Sequence, residues 1–297
     1  MSFSPNRRLH HVYSSAIGTV RAPSQRRIQS ILTFGAIAGL TVFTLLAMSH
    51  WLGLWGDRAT LTDAENHLPA SLQHWLGTNA IGQDIAARAA AGAATAFQTG
   101  LLVAVLTTVI GGTLGMLAGY FSGRWPDLLV SWLLAVIDAI PFYLLVGALA
   151  YAAQGAPGTV IAALTLAFWT STARYIRAET LKIRETGYVL SARTQGVPVS
   201  AILYRHVSPN IRHLLLIQAT IIFVAAVKSE VVLSFLGLGD GQSVSWGRMM
   251  AESSQDILAG HFLNFVVASG SLVVLVTALN LLTDALADHF DPRYWSQ

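Results

Sequence analysis

Residues 178–210 read AETLKIRETGYVLSARTQGVPVSAILYRHVSPN, a charged stretch set between long apolar runs. With its edges it carries Arg174, Arg177, Lys182, Arg184, Arg193, Arg205 and Arg212, seven of the chain's eighteen basic residues. Elsewhere the chain is strongly apolar, with 54% hydrophobic and 11% charged residues over 297 positions. That is about half the charge of an ordinary soluble domain. A run of roughly twenty apolar residues spans a bilayer, and several such runs occur. Backbone amides in hydrocarbon must bond within their own segment, so helices are the default, and the runs lack the alternation a membrane barrel needs. The expected fold class is an all-α integral membrane protein.

Working outward from that stretch gives six expected crossings. The first lies within 28–56, which has no Asp, Glu, Lys or Arg. The second lies near 97–120. Residues 89–123 are charge-free and too long for one crossing at about 1.5 Å per residue, so their Ala-rich start is expected to be a lead-in helix outside the hydrocarbon core. The third runs from 128 to about 153 and contains Asp138 and Pro141. Gln154-Gly155-Ala156-Pro157-Gly158 is a turn signal that makes 159–176 the fourth and shortest. The fifth spans 214–238 and the sixth 262–282. The domain reading is a basic amino-terminal segment (1–27), a first crossing (28–56), an external loop with the lead-in helix (57–96), a five-crossing core (97–282) and a tail (283–297).

Basic residues are retained on the cytoplasmic side. With the amino terminus inside, segments 1–27, 121–127, 174–212 and 283–297 hold fourteen Lys and Arg, against Arg58, Arg88 and Arg248 outside. The vote places both termini and residues 178–210 in the cytoplasm. The amino-terminal run is too long for a cleaved secretory signal and reads as an uncleaved anchor. With no cysteine, disulfides and thiolate metal sites are excluded. The nine histidines show no paired metal spacing, His10-His11 included.

Within the charged stretch, 179–195 is expected to form one helix with a wet face at Glu179, Lys182, Arg184 and Glu185. Gly196 ends it, because glycine accepts the left-handed conformation at a helix carboxyl end. Pro198 suits the first turn of a second helix running to about Val207, which Pro209 is expected to stop. The reading is two short, water-exposed helices with a bend between them.

These residues carry a resemblance. Tyr188-Val189-Leu190-Ser191-Ala192-Arg193, Gly196 and Arg205-His206-Val207-Ser208-Pro209-Asn210 resemble the cytoplasmic coupling loop of the permeases of dipeptide, oligopeptide and nickel ABC importers. Leu190, Ser191 and Ser208 stand where that family has Glu, Ala and Leu. Further matches occur in order along the chain. Leu76-Gly77-Thr78-Asn79 to Gly82-Gln83-Asp84 is similar to an external signature, with Asn79 and Gln83 replacing an acid and an arginine. Asp138 to Pro141 is a looser match. Residues 230–239 with Ser245-Trp246-Gly247 follow the pattern without its usual prolines, and Asn280 to Asp284 with Asp291-Pro292-Arg293 matches the carboxyl end.

The resemblance implies a type I importer permease fold in the bacterial inner membrane. It implies a second homologous permease as partner, making a heterodimer, together with two cytoplasmic ATPases and an external substrate-binding protein. ATP and Mg would be bound by the ATPases, since this chain has no Gly-x-x-x-x-Gly-Lys-Ser/Thr loop and no cofactor is expected on it. Neither an enzyme nor a nucleic-acid partner is expected; lipid is. Tyr188, Ser191, Ala192, Arg193, Gly196, Arg205, His206 and Pro209 are the expected coupling residues. Gly77, Gly82, Asp84 and Trp246 form the external signature. Asp138, Pro141, Lys228 and Glu230 are candidates for the path or its gate, because ionisable groups inside crossings face cavities or partners. Asp138 with Lys228 is one expected cross-helix pair; backbone bonding near wet helix ends is the structural alternative. Gly111, Gly112, Gly115 and Gly119 offer small-residue helix packing. The rival function is an ion-coupled secondary transporter using Asp138 and Glu230, which would call for inverted repeats with broken helices.

Overall fold

The computed structural model describes residues 23–290 apart from 63, 154 and 242. Within them lie ten α-helices and one isolated bridge, Thr78 with Asp84, so the all-α expectation holds. The first 22 residues, including His10-His11, and Asp291-Pro292-Arg293 lie outside the described residues.

Helix α1 (Pro23–Trp51) is followed by turns through 60 and an irregular segment to Asp84. Helix α2 (Ile85–Tyr120) runs unbroken for 36 residues, about 54 Å at 1.5 Å per residue. The Ala-rich start is continuous with the second crossing as one helix. No glycine or proline with broken geometry interrupts it, and the Asp84 carboxylate caps it by accepting from the Ala87 N–H (3.0 Å).

The third expected crossing is two helices, α3 (Trp125–Asp138) and α4 (Phe142–Ala152), bent by 84°. Pro141 explains the break. It has no N–H to offer the Ile137 carbonyl, disfavours helical geometry at Ile140, and starts α4 with its own carbonyl accepting from Leu144 and Leu145. Helix α5 (Thr159–Arg184) then runs on well past the expected 176.

Three elements form the charged stretch: α6 (Gly187–Thr194), α7 (Val199–Ile202) and a π-helical segment (Leu203–Val207) that leads directly into α8 (Ser208–Phe235). Two further helices, α9 (Trp246–Leu258) and α10 (Leu263–Phe290), complete the order. The last helix continues beyond the expected end at 282.

Among the described residues, four helices are long and apolar enough to cross a membrane: Thr33–Trp51 of α1, α2, the run Val199–Phe235, and Leu263–Asp288 of α10. The bent pair α3 and α4 makes a fifth if it is one span. Helix α5 has the length, at 26 residues, but Arg174, Arg177, Lys182 and Arg184 shorten its apolar part. Six crossings are reached only by counting both.

Helix α2 is the axis of the bundle, packed against α1, α5 and α8. Its contact with α5 is close because Gly111, Gly115 and Gly119 recur every four residues and face α5. A Cβ there would stand 2.7 Å from the Trp169 carbonyl, 2.6 Å from that of Ala173 and 2.7 Å from that of Arg177. Separate buried clusters sit at the two ends of the bundle. One joins α1, α2, α8, α9 and α10 around Phe43, Trp246 and Leu275. The other lies beneath the charged stretch.

Candidate functional site

The charged stretch begins where α5 ends. Glu185 and Thr186 break the helix expected to run over 179–195, so its first six residues belong to α5 and the remainder to α6. Arg184 is not on an open basic face: it donates to the Tyr120 carbonyl (3.2 Å) at the carboxyl end of α2 and pairs with Glu185 (2.8 Å). A cation there satisfies the last carbonyls and opposes the negative end of the helix dipole. Lys182 and Glu179 pair at 2.6 Å, and the carboxylate raises the Lys182 amine above its ordinary value.

Gly196 ends α6 as expected, at φ +75°. Its N–H donates to the Arg193 carbonyl (3.1 Å) and the Val197 N–H to that of Ala192 (3.1 Å), the paired bonds of a Schellman cap. Nothing stands within 4 Å of where a Cβ would be. Left-handed backbone, not crowding, is what requires glycine here.

Pro209 departs from expectation. Instead of stopping the second helix it sits in the first turn of α8, and the chain absorbs it through the π-helical segment. The Ser208 N–H reaches five residues back to Leu203, and the Asn210 amide donates to the His206 carbonyl (2.6 Å). Proline removes the N–H that the Arg205 carbonyl would take and its ring would crowd that carbonyl, so a widened turn relieves both problems. In consequence α7, the π segment and α8 form one continuous helical arm.

This arm and α6 share a dry underside. Val189, Ala192, Ile202, Val207 and Ile211 are buried against Ile176 of α5; each larger aliphatic side chain contributes roughly 1.5–3 kcal/mol by burial. Ala192 is 7% exposed, so it packs beneath the surface rather than lying on it. The outer face presents Tyr188, Leu190, Ser191, Arg193, Gly196, Tyr204, Arg205 and Pro209. Tyr204 is 79% exposed. The Arg193 guanidinium stands 6.0 Å from the Tyr120 ring centre, and the Tyr188 and His206 rings are 6.3 Å apart. Tyr204 escaped the sequence reading; only its large exposed surface marks it.

At the opposite end of α2 the external signature is a structural cap. Gly77 and Gly82 both have positive φ, and a Cβ at either would lie within 2.2 Å of a carbonyl oxygen, Leu68 or Ala64. Asp84 bonds the amino end of α2 and pairs with His74 (3.0 Å). The Asn79 side-chain Oδ1 accepts from the Ile81 and Gln83 N–H groups. Arg88, buried on α2, reaches Gln83 and Glu252 of α9. Trp246 is 1% exposed, donates from Nε1 to the Ala89 carbonyl (3.1 Å), and fills the space opposite Gly92.

The ionisable groups within the helices take partners other than those expected. Asp138 pairs with Arg174 of α5, not with Lys228. The arms of that pair come from the bend at Pro141 and from the adjoining helix. Lys228 is exposed on α8 and forms no ion pair among the described residues. Glu230, two residues on, faces the other way, is buried, and accepts from the Ser234 hydroxyl (2.6 Å). Asp138 and Glu230 thus have separate partners, and nothing among the described residues joins them as a relay. Arg177 and Asp127, not singled out in the sequence, form a two-pronged pair (2.6 and 2.9 Å) that ties α5 to the start of α3.

The described residues thus form a bundle of apolar helices with a bent, charged arm inserted between two of them. Residues 111–296 match the family of the binding-protein-dependent transport system inner membrane component, and the chain belongs to that family. It is 32% identical over 264 residues to the dipeptide transport system permease protein DppC of Bacillus subtilis strain 168, covering 87% of this chain and 82% of that one. It is 33% identical over 227 residues to the oligopeptide transport system permease protein OppC of Mycobacterium tuberculosis strain H37Rv, covering 75% and 77%. Similarity to the dipeptide permease DppC of Alkalihalophilus pseudofirmus is 31% over 263 residues, covering 87% and 86%.

Proposed function

We propose that this chain is one of two homologous permeases that together enclose the path of an ATP-driven peptide importer in the bacterial inner membrane. Both termini are cytoplasmic in this reading. An external binding protein delivers the peptide, and two ATPase subunits bind ATP and Mg and dock on the outer face of α6 and the π-helical segment. The observation that carries the proposal is the bent unit made by α6 and the helical arm that follows it. Its open face of Tyr188, Ser191, Arg193, Tyr204 and Arg205 rides on a packed underside that is continuous with α5 and α8, so displacement of the face moves two membrane helices. Nucleotide binding would then bias one of two conformations of similar free energy. The peptide assignment draws on the names of the relatives. Pro141, Asp138 and Lys228 are proposed to border the path; Glu230 supports α8 from its buried side.

The natural chain has no cysteine, so Ser191→Cys and Arg205→Cys give single labelling sites on the open face. In the assembled complex both are expected to cross-link to the ATPase, and Arg205→Glu is expected to lower ATP-driven peptide uptake about tenfold or more. Uptake that persists in proteoliposomes lacking the ATPase, with no cross-link formed, refutes the proposal.

A further inference from the structure

Where α1 leaves the apolar zone, the chain folds back into a cavity of about 430 Å³, within the range of small-molecule sites, roughly 300–1,000 Å³. Its two halves differ in chemistry. The lower half is made by Val42, Leu45 and Leu46 on the last turns of the α1 crossing, with Leu54 beside them; Val42, Leu45 and Leu54 are exposed. The upper half is made by Trp55, Trp75 and Arg58. Trp55 and Trp75 meet edge to face at 5.5 Å, and Trp55 is held by donating from Nε1 to the Ser49 hydroxyl (2.8 Å).

Arg58 is exposed at the rim, donates to the Gln73 carbonyl (3.4 Å), and makes no ion pair among the described residues. Asp84 also lines the cavity, but its two oxygens are engaged by the Ala87 N–H and by His74, and its side chain is almost fully buried. The rim therefore offers an available cation above an apolar trough, flanked by tryptophans at the depth where indole rings favour the membrane–water boundary.

We propose that this cavity holds one phospholipid, with an acyl chain along Val42, Leu45 and Leu46 and the phosphate on Arg58. A protein helix laid in the trough would have to bring a carboxylate to the guanidinium, whereas a phospholipid carries its anion at the head of its apolar chains. A soluble partner could not reach side chains on the crossing itself. The amphipathic order of the lining matches a molecule that is itself apolar below and anionic above, and guanidinium forms a two-pronged contact with phosphate.

The full chain, purified in mild detergent and offered phosphatidylglycerol, phosphatidylethanolamine or a diacylglycerol of the same chains, tests this by native mass spectrometry. The expected result is retention of one phospholipid per chain. Arg58→Gln should cut retention at least fivefold, Arg58→Lys should largely keep it, and diacylglycerol should not be held. Equal retention by Arg58→Gln, or equal retention of diacylglycerol, overturns the proposal. A second measurement needs no charge variant. In nanodiscs, brominated phospholipid should quench the fluorescence that is lost in Trp75→Phe, saturating at low bromolipid fraction. Quenching that only follows bulk lipid composition indicates ordinary boundary lipid and also overturns it.

Discussion

Gly115→Ala tests whether α2 and α5 are held by close backbone approach. The added Cβ would stand 2.6 Å from the Ala173 carbonyl oxygen and 3.0 Å from the Ile176 Cβ. Ordinary contacts of about 3.5 Å require α5 to withdraw by nearly 1 Å, which loosens a ridge shared with Gly111 and Gly119. Overpacking of this kind costs about 1–3 kcal/mol, while alanine in place of glycine inside a helix returns about 1 kcal/mol. Net destabilisation of about 1 kcal/mol follows. Gly270→Ala in α10 is the control, since nothing stands within 4 Å of its Cβ position and its φ is negative; there only the propensity gain of about 1 kcal/mol remains. The two identical substitutions should therefore separate by about 2 kcal/mol, roughly thirtyfold in the unfolding equilibrium. Titration of the purified chain with sodium dodecyl sulfate in mixed micelles, followed by circular dichroism, reads the difference. Equal midpoints for both variants would falsify the close-packing argument.

Two more outcomes follow from other contacts. Reversing the Asp138–Arg174 pair, as Asp138→Arg with Arg174→Asp, should recover most of the transport lost by either change alone, whereas Asp138→Lys with Lys228→Asp should recover none; uptake by the assembled complex decides between them. Trp246→Ala should cost about 3–5 kcal/mol, because it removes a fully buried aromatic and leaves a cavity opposite Gly92. Thermal unfolding checks it, and a loss below 1 kcal/mol would mean that α9 is not anchored through this ring.

Much of the candidate site was legible because the signals are local. Gly196 ended a helix as expected, since a left-handed cap depends on one residue and its hydrogen bonds to the preceding turn. Asp84 at the start of α2 and the turn glycines Gly77 and Gly82 follow the same logic. Pro209 was misread for a reason that is also physical. A proline one or two residues into a helix is tolerated, and whether it stops the chain or opens a π turn depends on what the underlying residues bury. Val207 and Ile211 are both needed in the core beneath α6, and only a continuous arm puts both there. Ala192, a coupling residue by resemblance, lies below the surface in the same core.

Composition, apolar run length and turn chemistry are properties of neighbouring residues, so the sequence alone determined that this is a helical membrane protein with a bent polar arm before its penultimate long span; the family came from motif resemblance. Partner choice is different. Asp138 meets Arg174 across 36 positions and Arg88 meets Glu252 across 164, and the faces on which those side chains emerge are set by how α2, α3, α5 and α9 pack together. Only the tertiary structure decided those pairings, because a charge in an apolar bundle settles on whichever opposite group the packing brings within reach.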